Sequence, residues 1–103
     1  MCIRDSLYKM ARASGVTAVV DAAAVPYLAG ARRALADGWV SGGTRRNLEW
    51  VRPHTDLSAV SDDEALLLAD AQTSGGLLLG GEVPGAPVIG EFVPRQEFVV
   101  IVR

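Results

Sequence analysis

A glycine-rich segment, GGTRRN at residues 42–47, has the residue types of an anion-binding turn. Two glycines let the backbone approach another group closely, because they carry no Cβ. We expect Thr44 to cap the helix that follows, and the free N–H groups of a helix N-terminus attract anions. Arg45 and Arg46 would add cationic donors, with Asn47 beside them. The same residues also fit a capped helix start with two solvated arginines, so both interpretations stay open.

A second segment whose residue types could bind a ligand, DAQTSGGLLL, covers residues 70–79. It gathers a carboxylate, an amide, two hydroxyls and two glycines into one loop, which can present backbone N–H groups and side-chain oxygens to a ligand. The candidate binding residues are Gln72, Thr73, Ser74, Gly75 and Gly76. No lysine follows the glycines, so this is not a Walker A loop, and it is not GxGxxG. A tight connection in which Asp70 and Thr73 hydrogen-bond their own backbone explains the same residues.

The composition excludes several function classes. A chain of 103 residues forms one small domain, and its net charge of −2 lacks the basic footprint of a nucleic-acid-binding protein. The single cysteine, Cys2, allows no internal disulfide, and with one histidine, His54, it argues against a structural metal site. No apolar run approaches the roughly 20 residues of a membrane span. We therefore predict a cytoplasmic protein with no nucleic-acid or membrane partner and no metal ligands.

The first half of the chain predicts the elements that lead to the GGTRRN segment. Apolar residues at helical spacing over 7–14 predict a helix, and the β-branched run over 16–21 predicts a strand. A helix is predicted over 29–38, with Leu28 on its apolar side and a glycine as its stop. A further helix is predicted over about 44–51. The first candidate segment would thus lie at the start of a helix.

The second half places DAQTSGG between a helix and a strand. The helix covers 61–70, and Ser61 and Glu64 have the capping-box spacing. Strands are predicted at residues 77–81, 88–93 and 97–103. The short link over 94–96 predicts a hairpin between the last two strands. Together the elements predict an α+β fold, with helices packed on one face of a mainly antiparallel or mixed sheet.

The order of GGTRRN, a capped helix, DAQTSGGLLL and VIGEFVPR resembles the C-terminal domain of the selenophosphate synthetases (selenide, water dikinases), of the aminoimidazole ribonucleotide synthetase-like superfamily. The segment YKMARASGVTAVVDAAAVPYLAGARRALADG resembles the same family. The resemblance covers residues 7–103, which would be a partial C-terminal domain. Residues 1–6 match no family pattern and are predicted to be a non-native lead-in. Sister families, such as thiamine monophosphate kinase, share the architecture but are not expected to carry both motifs at this spacing.

The resemblance implies a parent enzyme that converts ATP, selenide and water to selenophosphate, AMP and phosphate with magnesium, and that forms a homodimer. A missing N-terminal ATP-binding domain would supply the metal-binding aspartates, a lysine and the catalytic cysteine or selenocysteine. This chain would then hold no catalytic or metal-binding residue, need no cofactor alone and be inactive alone. Residues 44–47 and 72–76 would line the cleft beside the missing domain. Family members often carry a further helix where residues 80–87 are too short for one.

Two other functions remain possible at this level. The chain could be a stand-alone α+β binding or dimerisation module, or a ligand-binding domain of a sister family. The remaining single residues suggest structural roles. Trp39 and Trp50 are predicted to pack the GGTRRN segment on the core, and His54 is predicted to be exposed. Cys2 is interpreted as an incidental thiol.

Overall fold

The structure is a computed structural model that describes residues 2–72 and 76–103. The helices are α1 (Lys9–Ala13), α2 (Ala31–Ala36), α3 (Gly42–Val51) and α4 (Asp62–Leu68). The strands are β1 (Val16–Val20), β2 (Thr55–Asp56), β3 (Gly90–Pro94) and β4 (Val100–Val102). A π-helical segment, Ile3–Tyr8, runs into α1, and short 3-10 turns cover Ala22–Ala24 and Arg52–His54.

The four strands form one mixed sheet in the order β2-β4-β1-β3. Strand β1 pairs antiparallel with β3, with Val20 opposite Gly90, and parallel with β4, with Ala18 opposite Val100. Strand β2 pairs parallel with β4. The expected α+β class is confirmed, and the sheet is mixed.

The helices cover one face of this sheet, as expected. The buried cluster joins side chains from the helices to alternate residues of β1 and β4. Because neighbouring strand residues point to opposite faces, Ala18 and Val20 share a face and meet the helices. The main helical contributors are Leu7, Tyr8, Ala11, Leu48, Val51, Ala65 and Leu68.

The expected hairpin between the last two strands is wrong, because β1 lies between β3 and β4. Residues 95–99 instead cross the start of β1 and are held there by Thr17, which is fully buried. The Thr17 hydroxyl accepts from the Gln96 amide at 2.8 Å and donates to the Phe98 carbonyl at 2.8 Å. The β-branched run of β1 thus forms a central strand that pairs on both edges.

The expected strand over 77–81 is also wrong. The described residues 76–89 form neither helix nor strand, which agrees with 80–87 being too short for a helix. Leu77 is 85% exposed, and Gly81 and Gly85 turn the chain with φ of 104° and 80°. A strand needs a neighbour to pair its backbone groups, and residues 77–81 join none of the four strands of the described sheet.

Helix α2 is shorter and more peripheral than expected. It begins after Gly30, at φ 87°, and ends before Gly38, at φ 89°, so the predicted glycine stop is confirmed. None of its residues is buried, and Leu28 is 88% exposed, which contradicts the apolar side assigned to this residue. Trp39 is 80% exposed and does not pack on the core. The loops around α2 carry these side chains outward.

The remaining local expectations have mixed outcomes. Ser61 caps α4 by accepting from the Glu64 amide at 3.2 Å, and residues 65–69 are largely buried, as expected. His54 is exposed, as expected, whereas Trp50 is 46% exposed and packs edge-on against Tyr8. The side chains of the described lead-in residues Cys2 and Ile3 lie in the core. The assignment of residues 1–6 as non-native stays a prediction.

Candidate functional site

Helix α3 begins two residues earlier than expected, at Gly42, so GGTRRN forms its first turns and not a preceding loop. Ser41 is the N-cap, and its hydroxyl accepts from the Thr44 amide at 3.1 Å. The expected capping role of Thr44 is therefore wrong. Serine is among the preferred capping residues, and it stands three positions before Thr44, the spacing that a capping hydroxyl requires.

Thr44 points into the protein and joins the two candidate segments. It is only 2% exposed. Its hydroxyl donates to the Asp70 carboxylate at 2.7 Å and accepts from the Ala71 amide at 3.2 Å. The structure thus brings the first turn of α3 against the start of DAQTSGG, as one site requires. Sequence reasoning predicted both segments but not this contact.

Asn47 lies one turn further along the same face of α3 and is also buried. Its amide nitrogen donates to the Ala69 carbonyl at 3.1 Å and lies 3.5 Å from the Cys2 sulfur. Residues three apart on a helix share a face, so Thr44 and Asn47 hold consecutive parts of one segment. Both side chains serve contacts within the protein, and neither faces solvent.

Both glycines of GGTRRN have a close neighbour. A Cβ at Gly43 would lie 3.3 Å from the Ala71 Cβ, and one at Gly42 would lie 3.1 Å from Nη1 of Arg46. The first turn can therefore pack on Ala71 while the Arg46 side chain folds beside it. Arg45 and Arg46 are exposed, so they are the outward-facing members of the first candidate set.

Of the second candidate set, Thr73, Ser74 and Gly75 lie outside the described residues. Gln72 and Gly76 are exposed and line a groove of about 1270 Å³, together with Asp70 and Ala71. Most other lining groups are apolar: they come from β1, from Val25 to Ala31, and from Leu77 to Phe92. The charged side chains among the described lining residues are Asp70, Glu82 and Glu91, all acidic.

The chemical character of the groove follows from this lining. Nucleotide phosphates need cationic or N–H donors, and the described lining offers no basic side chain. An apolar surface of this size suits a protein contact better than a phosphate. The two exposed arginines of the first candidate segment, Arg45 and Arg46, belong to α3 and are not part of the lining. The site therefore has two parts that meet at Asp70 and Ala71: the first turn of α3, and the apolar groove.

A polar cluster missed by sequence reasoning links α2 to α4. Arg32 donates two hydrogen bonds to the Glu64 carboxylate, at 2.6 and 2.9 Å, and its guanidinium lies 5.1 Å from the centre of the Tyr27 ring. These bonds hold the pKa of Glu64 below its ordinary value, although burial raises it. Burial, with the nearby Glu64 charge, raises the pKa of Tyr27 to about 12. The partners are 32 residues apart, so no local signal could reveal them.

Magnesium does not fit the described part of the chain. Within residues 2–72 and 76–103, no three histidine, cysteine, aspartate or glutamate side chains come together as a metal site. Asp62 and Asp63 stand in the first turn of α4, where the helix dipole favours negative charge. Across the same two stretches, every helix is too short or too polar to cross a bilayer.

Comparison with known proteins gives one consistent result. No protein-family model matches the chain. The selenide, water dikinase of Pseudomonas putida is 40% identical over 108 aligned residues, which include 91% of this chain and 31% of the relative. That of Caldanaerobacter subterraneus subsp. tengcongensis is 31% identical, with 93% of this chain and 32% of the relative covered. That of Bordetella bronchiseptica is 43% identical, with 77% of this chain covered.

These similarities extend over the α3 and DAQTSGG region and most of the remaining chain, while the chain spans about a third or less of the length of the relatives it matches. Identities of 31–43% over most of the chain, repeated in relatives with the same description, are consistent with the two adjoining motifs. The chain thus belongs to the selenide, water dikinase (selenophosphate synthetase) family.

Proposed function

We propose that this chain is the C-terminal part of a selenide, water dikinase, which converts ATP, selenide and water to selenophosphate, AMP and phosphate. The observation that carries the proposal is the contact between Thr44 and Asp70, because it assembles GGTRRN and DAQTSGG into one site. The fold belongs, in this proposal, to the aminoimidazole ribonucleotide synthetase-like superfamily. The full-length protein would act in the cytoplasm as a homodimer.

The first turn of α3 and the segment after Asp70 would form one wall of the nucleotide cleft. Phosphoryl transfer requires positive charge on the phosphates and an oriented nucleophile. Arg45 and Arg46 are exposed beside a helix N-terminus, which is where a phosphate is favoured. Gln72, Gly76 and the intervening Thr73, Ser74 and Gly75 would complete this wall. Thr44 and Asn47 would support this wall from the protein interior, since their side chains hydrogen-bond to residues 69–71.

The rest of the parent would supply what this chain lacks. ATP would bring the phosphoryl group, and magnesium would be held by the missing N-terminal domain, since the described residues do not fit it. The same domain is the proposed occupant of the apolar groove, where Leu77 and Val88 are 85% and 77% exposed. Burying such side chains is favourable by about 25 cal/mol per Å². We therefore propose that the chain alone does not turn over ATP.

A chimera tests the proposal. Residues 7–103 replace the matching segment of the Pseudomonas putida enzyme, and selenide-dependent AMP release is measured. We expect turnover by the chimera and none by the 103-residue chain. The double variant Arg45→Ala/Arg46→Ala should raise KM for ATP, whereas Arg52→Ala, another exposed arginine, should not. Turnover by the chain alone, or a folded chimera without turnover, would contradict the proposal.

A stand-alone binding or dimerisation module is the second candidate, and the apolar groove is the observation that favours it. Exposed apolar side chains that lie together, such as Leu77 and Val88 here, can mark a contact with another protein. Sedimentation velocity of the 103-residue chain separates the two functions. A stable, folded homodimer that persists on dilution would favour the module, while a monomer that binds the rest of the enzyme would favour the dikinase part.

A further inference from the structure

We infer that Thr44 is a positioning residue: it fixes the backbone at Asp70 and Ala71, from which the QTSGG segment starts. The inference rests on the proposed function, because it assigns the residue that holds one wall of the proposed cleft. It differs from the sequence expectation, in which Thr44 itself lay among the cleft-lining groups. The contact spans 26 residues of sequence.

The hydroxyl of Thr44 uses its whole hydrogen-bonding capacity within the protein. A threonine hydroxyl has one proton and two acceptor sites. Its proton goes to the Asp70 carboxylate at 2.7 Å, and the Ala71 amide occupies one acceptor site at 3.2 Å. The Ser41 hydroxyl lies 3.0 Å away and can donate to the other site. Thr44 therefore has no capacity left for a ligand, but it connects the N-cap of α3 to both residues of the segment.

Helix α3, which carries Thr44, is itself anchored in the protein. Leu48 and Val51 place α3 in the core, and Asn47 adds a second attachment at the Ala69 carbonyl, 3.1 Å away. Gly43 lets the first turn of α3 approach Ala71 without a Cβ clash. Catalytic groups must be held within about 0.5 Å of their productive positions by such supporting contacts. A helix anchored in the core and hydrogen-bonded to the segment at two points is a supporting contact of this kind.

Amide hydrogen exchange in the 103-residue chain tests the contact directly. Thr44→Val keeps the shape of the side chain and removes the hydroxyl, whereas Thr44→Ser keeps the hydroxyl. We expect exchange at the Ala71 amide to be about tenfold faster in Thr44→Val and close to the original rate in Thr44→Ser, since one net hydrogen bond is worth up to about that factor. Exchange at Val100, in the core strand, is the internal control. An unchanged Ala71 rate in Thr44→Val would overturn the inference.

The chimera described above tests the consequence for catalysis. Thr44→Val should lower kcat about tenfold with KM for ATP nearly unchanged, and Thr44→Ser should restore kcat. Equal losses in both variants, or a rise in KM alone, would overturn the positioning role. If Thr44→Val does not fold, Asp70→Leu serves instead, because it keeps a similar size and removes the oxygen that accepts the Thr44 proton; the same loss of kcat is then expected. If the unaltered chimera is inactive, the proposed function fails, while the exchange experiment still decides whether Thr44 fixes Ala71.

Discussion

The guanidinium of Arg95 donates a hydrogen bond of 3.2 Å to the carbonyl oxygen of Ala11 and thereby joins the β3–β4 connection to the end of α1. The same side chain donates to the Val16 carbonyl at 3.1 Å and to the Arg12 carbonyl at 3.4 Å. The last carbonyls of a helix lack partners within the helix, and a basic side chain can satisfy them. Arg95 thus connects the crossing chain to both α1 and β1.

We expect Arg95→Ala to lower the free energy of unfolding by about 1–2 kcal/mol, because it removes charged hydrogen bonds to three carbonyl groups. Chemical denaturation of the two proteins provides the measurement. Arg33→Ala is the matched control: its side chain is 89% exposed, and its closest carboxylate contact, with Asp37, is 3.9 Å long. An Arg95→Ala variant as stable as Arg33→Ala would show that these contacts contribute little.

Gly90 allows β3 to lie against β1. A Cβ at this position would collide with the carbonyl group of Val19 and lie 3.0 Å from the Cα of Val20. A glycine inside a strand often marks such a close backbone approach. We expect Gly90→Ala to destabilise the protein by about 1–3 kcal/mol, the usual range for overpacking. In Gly80→Ala the new Cβ would meet, among residues 2–72 and 76–103, only Phe92, at 3.7 Å. In thermal unfolding, Gly80→Ala should therefore have a higher Tm than Gly90→Ala.

The Arg32–Glu64 pair should make stability depend on pH in the acid range. Its hydrogen bonds hold the pKa of Glu64 below the ordinary 4.5. A carboxyl with a lowered pKa in the folded state stabilises the protein above its unfolded pKa, and that stability is lost as pH falls through the folded value. Glu64→Gln should therefore be less stable than the parent above about pH 5, with the difference shrinking below pH 4.5. A difference that stays constant across this range would exclude the ion pair as its cause.

The Tyr27 hydroxyl should make the stability of the protein depend on pH in the alkaline range. Its hydroxyl is buried without a hydrogen-bond partner in the described parts of the chain, and burial raises its pKa from 10.0 to about 12. The pKa of Tyr27 is higher in the folded than in the unfolded state. The stability that the protonated hydroxyl contributes is therefore complete below about pH 10 and is lost as pH rises towards 12.

Tyr27→Phe should abolish that alkaline loss and change the free energy of unfolding at neutral pH by less than about 1 kcal/mol, since no hydrogen bond is removed. Unfolding measured between pH 8 and 12, with absorbance of tyrosinate as a second readout, checks both expectations. A variant that loses stability as steeply as the parent would assign the alkaline effect to other groups.

The apolar and capping patterns predicted several elements correctly because they act over a few residues. The β-branched run of β1 and the Ser61 cap of α4 both follow from neighbouring residues. The leucine run at 77–79 failed as a strand for the opposite reason. A strand depends on a distant partner, and residues 77–79 join none of the four strands of the described sheet. The residue types at 77–79 alone therefore could not show whether this segment would pair as a strand.

For the candidate site, sequence alone identified both segments and their family, because residue types and order carry that information. It did not show which side chains face inward. Ser41 instead of Thr44 caps α3, and this frees the Thr44 hydroxyl for a residue 26 positions away. Likewise, Thr17 holds Gln96 across 79 positions and so sets β1 between β3 and β4. Contacts at such separations form only when packing brings the segments together, so only the tertiary structure decided them.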